Sequence, residues 1–193
     1  MVRTPSTMLP LGTRAPDFSL PNVDGRVLSL ADVAGPAGTV VMFICNHCPF
    51  VRHVAVELAR LGRDALASGI GCVAISSNDV ATHPADSPEQ MVREAEDRGY
   101  PFPYLYDGTQ EVAKAYRAAC TPDFYLFDAT GRLVYRGQLD SSRPGSDVPV
   151  TGAALRAAID ALVQGKPPVA RQAPSLGCNI KWKPGNEPEW FAA

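Results

Sequence analysis

The chain has 193 residues, of which 46% are hydrophobic and 20% charged, and its formal net charge is -2. This composition predicts a globular domain with a sizeable core, and the lack of a basic surplus argues against nucleic acid or an acidic membrane surface as a partner. The N-terminus lacks the apolar core of a signal peptide, and the longest apolar run is too short to cross a bilayer. We therefore expect a cytoplasmic protein.

The first half of the chain has the pattern of an α/β domain. Residues 1–16 carry three prolines and no periodicity, which predicts an irregular lead-in. Two alternating runs within residues 17–30 predict an N-terminal β-hairpin. Buried strands are predicted over residues 39–44 and 70–76, on either side of a long amphipathic helix. The apolar residues of that helix recur at spacings of three and four: Val51, Val54, Leu58, Leu61 and Ala65.

The second half adds helices and a hairpin. A start signal at Ser87 and a stop signal at Gly99 delimit one helix, and a second is predicted over residues 111–117. Strands over residues 123–127 and 132–136 are joined by a short turn, which predicts an antiparallel hairpin. Strands and helices thus follow the order of an α/β domain with an antiparallel edge.

The pattern of the C-terminal residues predicts a tail that follows the last helix. A last amphipathic helix ends at Gly165, and residues 166–193 show no helix or strand pattern. We therefore predict one domain over residues 1–165 and an irregular C-terminal tail. The tail contains Trp182 and Trp190, and aromatic residues are scarce in disordered segments, so we expect the tail to pack on the domain.

Two of the five cysteines, Cys45 and Cys48, lie between the central strand and the long helix. Pro49 suits the first helical position because its missing N–H would have no intrahelical partner, which makes Cys48 the predicted N-cap. The helix dipole and the unpaired N–H groups favour a thiolate there, with a pKa below the ordinary value of about 8.5. Cys48 is therefore the candidate nucleophile, placed where ligands bind in open α/β sheets.

Three motifs resemble those of the redoxin branch (AhpC/TSA, peroxiredoxin-like) of the thioredoxin-like superfamily. They are Ala15-Pro16-Asp17-Phe18-Ser19-Leu20 with Asp24-Gly25, Cys45-Asn46-His47-Cys48-Pro49, and Thr121-Pro122. The Cys45 motif together with the tail segment Gly177–Gly185 is similar to a poorly characterised peroxiredoxin-like subfamily. The resemblance implies a thioredoxin fold, with a central mixed β-sheet flanked by helices. It also implies a cis Thr121–Pro122 bond beside the active cysteines, whose neighbouring backbone pairs with substrate.

The resemblance favours a thiol–disulfide oxidoreductase in which Cys48 is the attacking thiolate and Cys45 the resolving thiol. Pro49, Thr121 and Pro122 would support the pair. His47 either turns toward the thiols or is an exposed turn residue.

Cys120 and Cys178 are two further candidate resolving thiols. Cys120 lies two residues before Pro122, although a packed, unreactive thiol explains it equally simply. Cys178 lies in the tail, and a disulfide to Cys48 would require the two Cα atoms to approach within about 7 Å.

A thiol-dependent peroxidase is the alternative, with Cys48 as the peroxidatic residue. Cys45 takes the place of a peroxiredoxin threonine, and no arginine lies closer to Pro122 than Arg117 to stabilise charge on a peroxide oxygen. These departures make fast peroxide reduction the less favoured prediction.

The sequence leaves two more functional alternatives open. One is a zinc site made by Cys45, His47, Cys48 and Cys178, and the other is a non-catalytic redoxin-fold protein. The favoured oxidoreductase needs no metal and no organic cofactor, because the electrons pass through sulfur. Its expected partners are protein or small-molecule disulfides, or peroxides, and an electron donor such as thioredoxin or glutathione.

Overall fold

The computed structural model describes residues 3–191, which form ten strands and five α-helices. The strands are β1 (Arg3–Pro5), β2 (Ser19–Pro21), β3 (Val27–Ser29), β4 (Gly38–Phe43), β5 (Ile70–Ser76), β6 (Tyr104–Tyr106), β7 (Cys120–Thr121), β8 (Asp123–Asp128), β9 (Leu133–Gly137) and β10 (Leu176–Asn179). The helices are α1 (Leu30–Val33), α2 (Pro49–Ala67), α3 (Pro88–Arg98), α4 (Glu111–Ala115) and α5 (Ala153–Val163), and a 3₁₀ turn covers Pro84–Asp86. This order confirms the predicted α/β class.

The central sheet has the strand order β6–β5–β4–β8–β9. β4, β5 and β6 run parallel, whereas β8 pairs antiparallel with both β4 and β9. The predicted mixed sheet with an antiparallel edge is therefore confirmed. The N-terminal hairpin is also present, because β2 and β3 pair antiparallel in a small sheet of their own.

Side chains alternate across β4 and so build a core on each face of the sheet. Val40 and Met42 pack in the core that contains the apolar side of α2 and α5, whereas Val41 and Phe43 pack with residues of α4. All four side chains are fully buried. Because both faces are covered, a continuous apolar run is stable at the centre of the sheet.

The long helix α2 has Cys48 as its N-cap. Its predicted apolar stripe is buried along its whole length, and the stripe holds the helix against the sheet. None of the helices in the described part of the chain is long and apolar enough to span a membrane.

Two predictions about the ends of the chain are wrong. The sequence predicts an irregular lead-in over residues 1–16 and an irregular tail over residues 166–193, yet these segments contain β1 and β10. β10 lies between β1 and β7 in a second, antiparallel sheet. Such short strands are stabilised by partners distant in sequence, so they leave no local pattern. Residues 1–2 and 192–193 lie outside the described residues, and a domain boundary at residue 165 stays a prediction.

A matched pair of valines on α2 tests the packing. Val54 is 5% exposed in the core, whereas Val56 is 59% exposed on the opposite side of the same helix. We expect Val54→Ala to lower the free energy of unfolding by about 2 kcal/mol, because it removes buried methyl groups and leaves a cavity. Val56→Ala should change it by less than about 0.5 kcal/mol. Urea unfolding measures both, and equal losses would contradict the burial of only one face of α2.

Candidate active site

Cys48 is the N-cap of α2, with extended backbone angles (φ -66°, ψ 122°) and proline in the first turn. β4 ends at Phe43, so Cys45 and Cys48 both lie in the turn that leaves the carboxyl end of the central strand. The local signals of the sequence therefore place this turn correctly. The Cys48 side chain is completely buried and Cys45 is 1% exposed, so the site lies beneath the molecular surface.

The Cys48 sulfur is surrounded by hydrogen-bonding groups. In its thiol form it donates to the carbonyl oxygen of Thr121, at 3.2 Å. In its thiolate form it accepts hydrogen bonds from the thiols of Cys178 and Cys45. These bonds lower the pKa of Cys48 far below the ordinary value, and they outweigh the opposing effect of burial. The hydroxyl of Thr121 and the peptide N–H of Val51 contribute less.

Cys45 lies in a different electrostatic setting. Its sulfur is 3.4 Å from the hydroxyl oxygen of Thr121 and 3.9 Å from Nδ1 of His47. Burial raises the pKa of Cys45, and the hydrogen bond to Cys48 and the negative charge of Asp86 raise it further. Cys45 is therefore a protonated thiol next to a thiolate.

Asp86 organises the turn between the two cysteines. Its Oδ1 accepts from the peptide N–H groups of Asn46 and His47, at 2.9 and 3.1 Å. Its Oδ2 accepts from Nδ1 of His47 at 2.5 Å and from the side-chain amide of Asn78 at 2.7 Å. Burial alone would raise the pKa of Asp86, but the hydrogen bonds from His47 and Asn78 outweigh it and lower the pKa.

His47 is oriented by this carboxylate. Its side chain is 27% exposed, and its ring stacks on that of His83 with 4.9 Å between centroids. The hydrogen bond to Asp86 raises the pKa of His47. Of the two orientations that the sequence leaves open for His47, the structure has the ring facing a thiol, with Nδ1 3.9 Å from the Cys45 sulfur, and Asp86 holds the ring there.

The sequence analysis missed Asp86. The carboxylate ends the single 3₁₀ turn before α3, within a loop that follows β5. Because β5 is parallel to β4, its loop lies at the same edge of the sheet as the cysteines. A carboxylate in the loop after β5 is the feature of the sequence that could have indicated Asp86 as a residue of the site.

Of the four residues predicted as zinc ligands, Cys45 and His47 form a hydrogen-bonded cluster with Asp86, which was not among the four. Cys45, His47 and Asp86 offer ligand atoms within 4.8 Å of one another. The 2.5 Å between Nδ1 and Oδ2, however, is a hydrogen-bond distance. Two ligands of a tetrahedral zinc ion, each about 2.0 Å from the metal, lie farther apart than this. In this conformation the three residues form a hydrogen-bonded cluster.

The Thr121–Pro122 peptide bond is cis, as the resemblance implies. Cys120, just before it, is fully buried, and its sulfur points to the carbonyl oxygen of Pro122 at 3.8 Å. Burial raises the pKa of Cys120. Cys178 is the tail cysteine that reaches Cys48. Cys72, inside β5, has a pKa raised to about 12 by burial, which fits an inert core thiol.

Within residues 3–191, no arginine is among the hydrogen-bond partners of Cys48. Arg143 lines a cavity of about 20 Å³ beside Pro122. Its guanidinium instead donates to the carbonyl oxygens of Asp140 and Ser142 and to the side chain of Gln138. The described part of the site therefore has no guanidinium directed at the nucleophile.

Comparisons with known proteins identify the family of the chain. The model of the AhpC/TSA family matches residues 11–136, which is more than half of the chain. A provisionally named peroxiredoxin of Mycobacterium tuberculosis (strain H37Rv) is 31% identical over 115 residues, which are 60% of this chain and 68% of that protein.

Two crystal structures are much more similar. An uncharacterized conserved protein from Geobacillus kaustophilus has 60% identity and a TM-score of 0.94, covering 96% of this chain and 98% of that chain. A hypothetical protein from Sinorhizobium meliloti 1021 has 49% identity and a TM-score of 0.92, covering 94% of this chain and 100% of that chain.

A more distant structure identifies the fold. A provisionally named thiol:disulfide interchange protein DsbE from Chlorobium tepidum has 22% identity and a TM-score of 0.63, over 80% of this chain and 99% of that chain. The predicted thioredoxin fold is thereby confirmed. Family and fold together point to a redox enzyme.

The thiolate at Cys48 can be measured directly. Because the pKa of Cys48 is lowered while that of every other cysteine is raised, we expect the ultraviolet thiolate absorbance at neutral pH to disappear in Cys48→Ser and to persist in Cys120→Ser. A depressed native pKa adds stability that is full above the unfolded value of about 8.5 and is lost as pH falls toward the native pKa. The stability advantage over Cys48→Ser should therefore shrink on acidification; an advantage that grows would contradict a thiolate at Cys48.

Asp86→Asn tests the orientation of His47. The variant keeps the shape of the side chain and removes the charge that raises the pKa of His47, so the histidine should titrate at a lower pH. Imidazole NMR signals measure the change. Glu89→Gln, at an exposed carboxylate that accepts a hydrogen bond from the hydroxyl of Ser87, is the control and should leave the His47 signals unchanged.

Proposed function

Because the chain belongs to the AhpC/TSA family, we propose that it is a thiol–disulfide oxidoreductase of the redoxin type, with Cys48 as the attacking thiolate and Cys45 as a resolving thiol. One observation carries the proposal. The Cys48 sulfur lies at the N-terminus of α2 and accepts hydrogen bonds from two other thiols, a setting that holds it as a thiolate at neutral pH.

The reaction starts with attack of the Cys48 thiolate on one sulfur of a substrate disulfide. A mixed disulfide forms, and the second substrate sulfur leaves as a thiolate and takes up a proton. Cys45 then loses its proton and attacks the Cys48 sulfur, which releases the first substrate sulfur as a thiol. The substrate has gained two electrons, and the protein holds a Cys45–Cys48 disulfide. An external thiol donor of the thioredoxin or glutathione kind returns the protein to the dithiol state.

The surrounding residues have positioning roles in this proposal. Thr121 contacts both sulfurs, through its hydroxyl and its carbonyl group. Asp86 holds the turn through two peptide N–H groups, and its charge adds to the effect of burial, which raises the pKa of Cys45. Pro49 starts α2 without an unpaired N–H group beneath the thiolate.

Peroxide reduction is the second candidate, and the Thr121 hydroxyl beside Cys48 favours it. A hydroxyl donor near the sulfur can assist attack on a peroxide. The leaving oxygen, however, develops negative charge, and no guanidinium among the described residues is directed there. We therefore rank disulfide reduction first.

Activity with a small disulfide tests the proposal. Glutathione-coupled reduction of hydroxyethyl disulfide should fall by orders of magnitude in Cys48→Ser, because the nucleophile is lost. Cys72→Ala, which removes a thiol from the core away from the site, should leave the rate unchanged. Retained activity in Cys48→Ser would refute the role of Cys48. Replacing the disulfide with hydrogen peroxide should give the slower reaction, and the reverse order would favour the peroxidase.

A further inference from the structure

The tail strand β10 covers the backbone beside the nucleophile. It pairs antiparallel with β7, so that Cys178 is opposite Thr121 and Asn179 is opposite Cys120. Thr121 is also the residue whose carbonyl oxygen accepts a hydrogen bond from Cys48, at 3.2 Å. The strand next to the nucleophile is therefore already paired, at both of its residues, with a later segment of the same chain.

The two strands are packed too closely for another chain to lie between them. A Cβ atom on Gly177 would lie 2.0 Å from the carbonyl oxygen of Thr121 and 3.2 Å from the nitrogen of Pro122. Only glycine fits this position without a shift of the backbone. The N–H of Ile180 donates to the carbonyl oxygen of Ala119 at 3.1 Å, so the pairing continues beyond the strands. A second polypeptide could pair with β7 on this side only if the tail moved away.

The tail is anchored on both sides of this contact. Before it, the N–H of Ser175 donates to the hydroxyl of Ser6 at 2.9 Å, and the N–H of Ser6 donates to the carbonyl oxygen of Ser175 at 3.0 Å. After it, the N–H of Lys181 donates to Asn78 at 2.8 Å, and its carbonyl oxygen accepts from the side chain of Gln110 at 2.8 Å. Removing the tail would break these hydrogen bonds together, so β10 is a fixed wall of the site.

The space that remains beside the nucleophile is small. Cys48 is completely buried and Cys45 is 1% exposed, whereas the side chain of His47, between them, is 27% exposed. A cavity of about 20 Å³ lies beside Pro122 and has the tail residue Leu176 in its lining. Such a volume holds roughly one water-sized group. A disulfide with slender substituents can reach Cys48 by movements of side chains alone, whereas an extended polypeptide also needs the strand edge that β10 occupies.

From this geometry we infer that the chain reduces low-molecular-weight disulfides and excludes polypeptides, with β10 as the element that sets the limit. The inference rests on the proposed function and deepens it. Of the protein and small-molecule disulfides that the sequence leaves open as substrates, it selects the second class. The reaction is the one given above, in which the small disulfide takes up two electrons and two protons and leaves as two thiols.

A pair of matched substrates tests the inference. One is hydroxyethyl disulfide, and the other is a dimer of an unstructured peptide, joined by a disulfide between cysteines at the centre of each copy. Dithiothreitol is the electron donor for both. Each catalysed rate is divided by the rate with dithiothreitol alone, which corrects for the intrinsic reactivity of the disulfide. For the unsubstituted protein we expect the corrected kcat/KM to be roughly 100-fold higher with hydroxyethyl disulfide than with the peptide dimer.

Gly177→Ala should relax this selectivity, because its methyl group forces β10 away from Thr121. We expect the corrected rate with the peptide dimer to rise by roughly tenfold relative to the rate with hydroxyethyl disulfide. Gly185→Ala, later in the tail, is the matched control. Gly185 has a φ of +78°, and a Cβ atom there would meet no atom within 4 Å. The control should keep the selectivity of the unsubstituted protein, which separates displacement of β10 from backbone strain in the tail.

The outcomes separate the inference from the proposed function. Equal corrected rates with the two substrates in the unsubstituted protein would overturn the size limit and leave the oxidoreductase activity in place. This comparison needs no variant, so it decides the matter even if Gly177→Ala does not fold. Undiminished selectivity in a Gly177→Ala protein that is folded by circular dichroism would refute the role of β10. If neither disulfide is reduced, the proposed function itself fails.

Discussion

The site depends on one residue, Thr121, whose peptide and side chain contact all three thiol-bearing residues. Its carbonyl oxygen lies 3.2 Å from the Cys48 sulfur, and its hydroxyl lies 3.4 Å from the Cys45 sulfur. On its other side the backbone pairs with Cys178. The three cysteines come from different parts of the chain, and Thr121 is the residue that they share as a neighbour.

A second constraint is the charge of Asp86. A buried carboxylate is costly unless it is well hydrogen-bonded, and Asp86 accepts from two peptide N–H groups, an imidazole and an amide. The same negative charge disfavours a second thiolate at Cys45. One residue thereby shapes the turn and makes the two cysteines electrostatically unequal. Attack by one thiol and resolution by another requires this inequality.

The tail explains why the nucleophile is buried. β10 joins β1 and β7 into one sheet, so the first strand and the tail strand lie together beside the candidate active site. In the reduced protein this sheet places a thiol, rather than solvent, next to Cys48. A covered thiolate is protected from indiscriminate oxidation, while a thiol partner is already in contact. The tail strand also occupies the side of β7 along which an extended peptide would have to pair.

The sequence alone determined the fold class, the central sheet, the amphipathic helix and the position of Cys48 at its start. These features depend on neighbouring residues: the apolar run along β4, the spacing along α2, and Pro49 at the first helical position. Asp86 and Cys178 reach the site through contacts with residues distant along the chain, and so do the strands at both ends. Strand pairing and burial decided those contacts, because neither leaves a local pattern in segments of three or four residues. The sequence therefore placed the candidate nucleophile at the start of α2, and the tertiary structure decided which groups surround it.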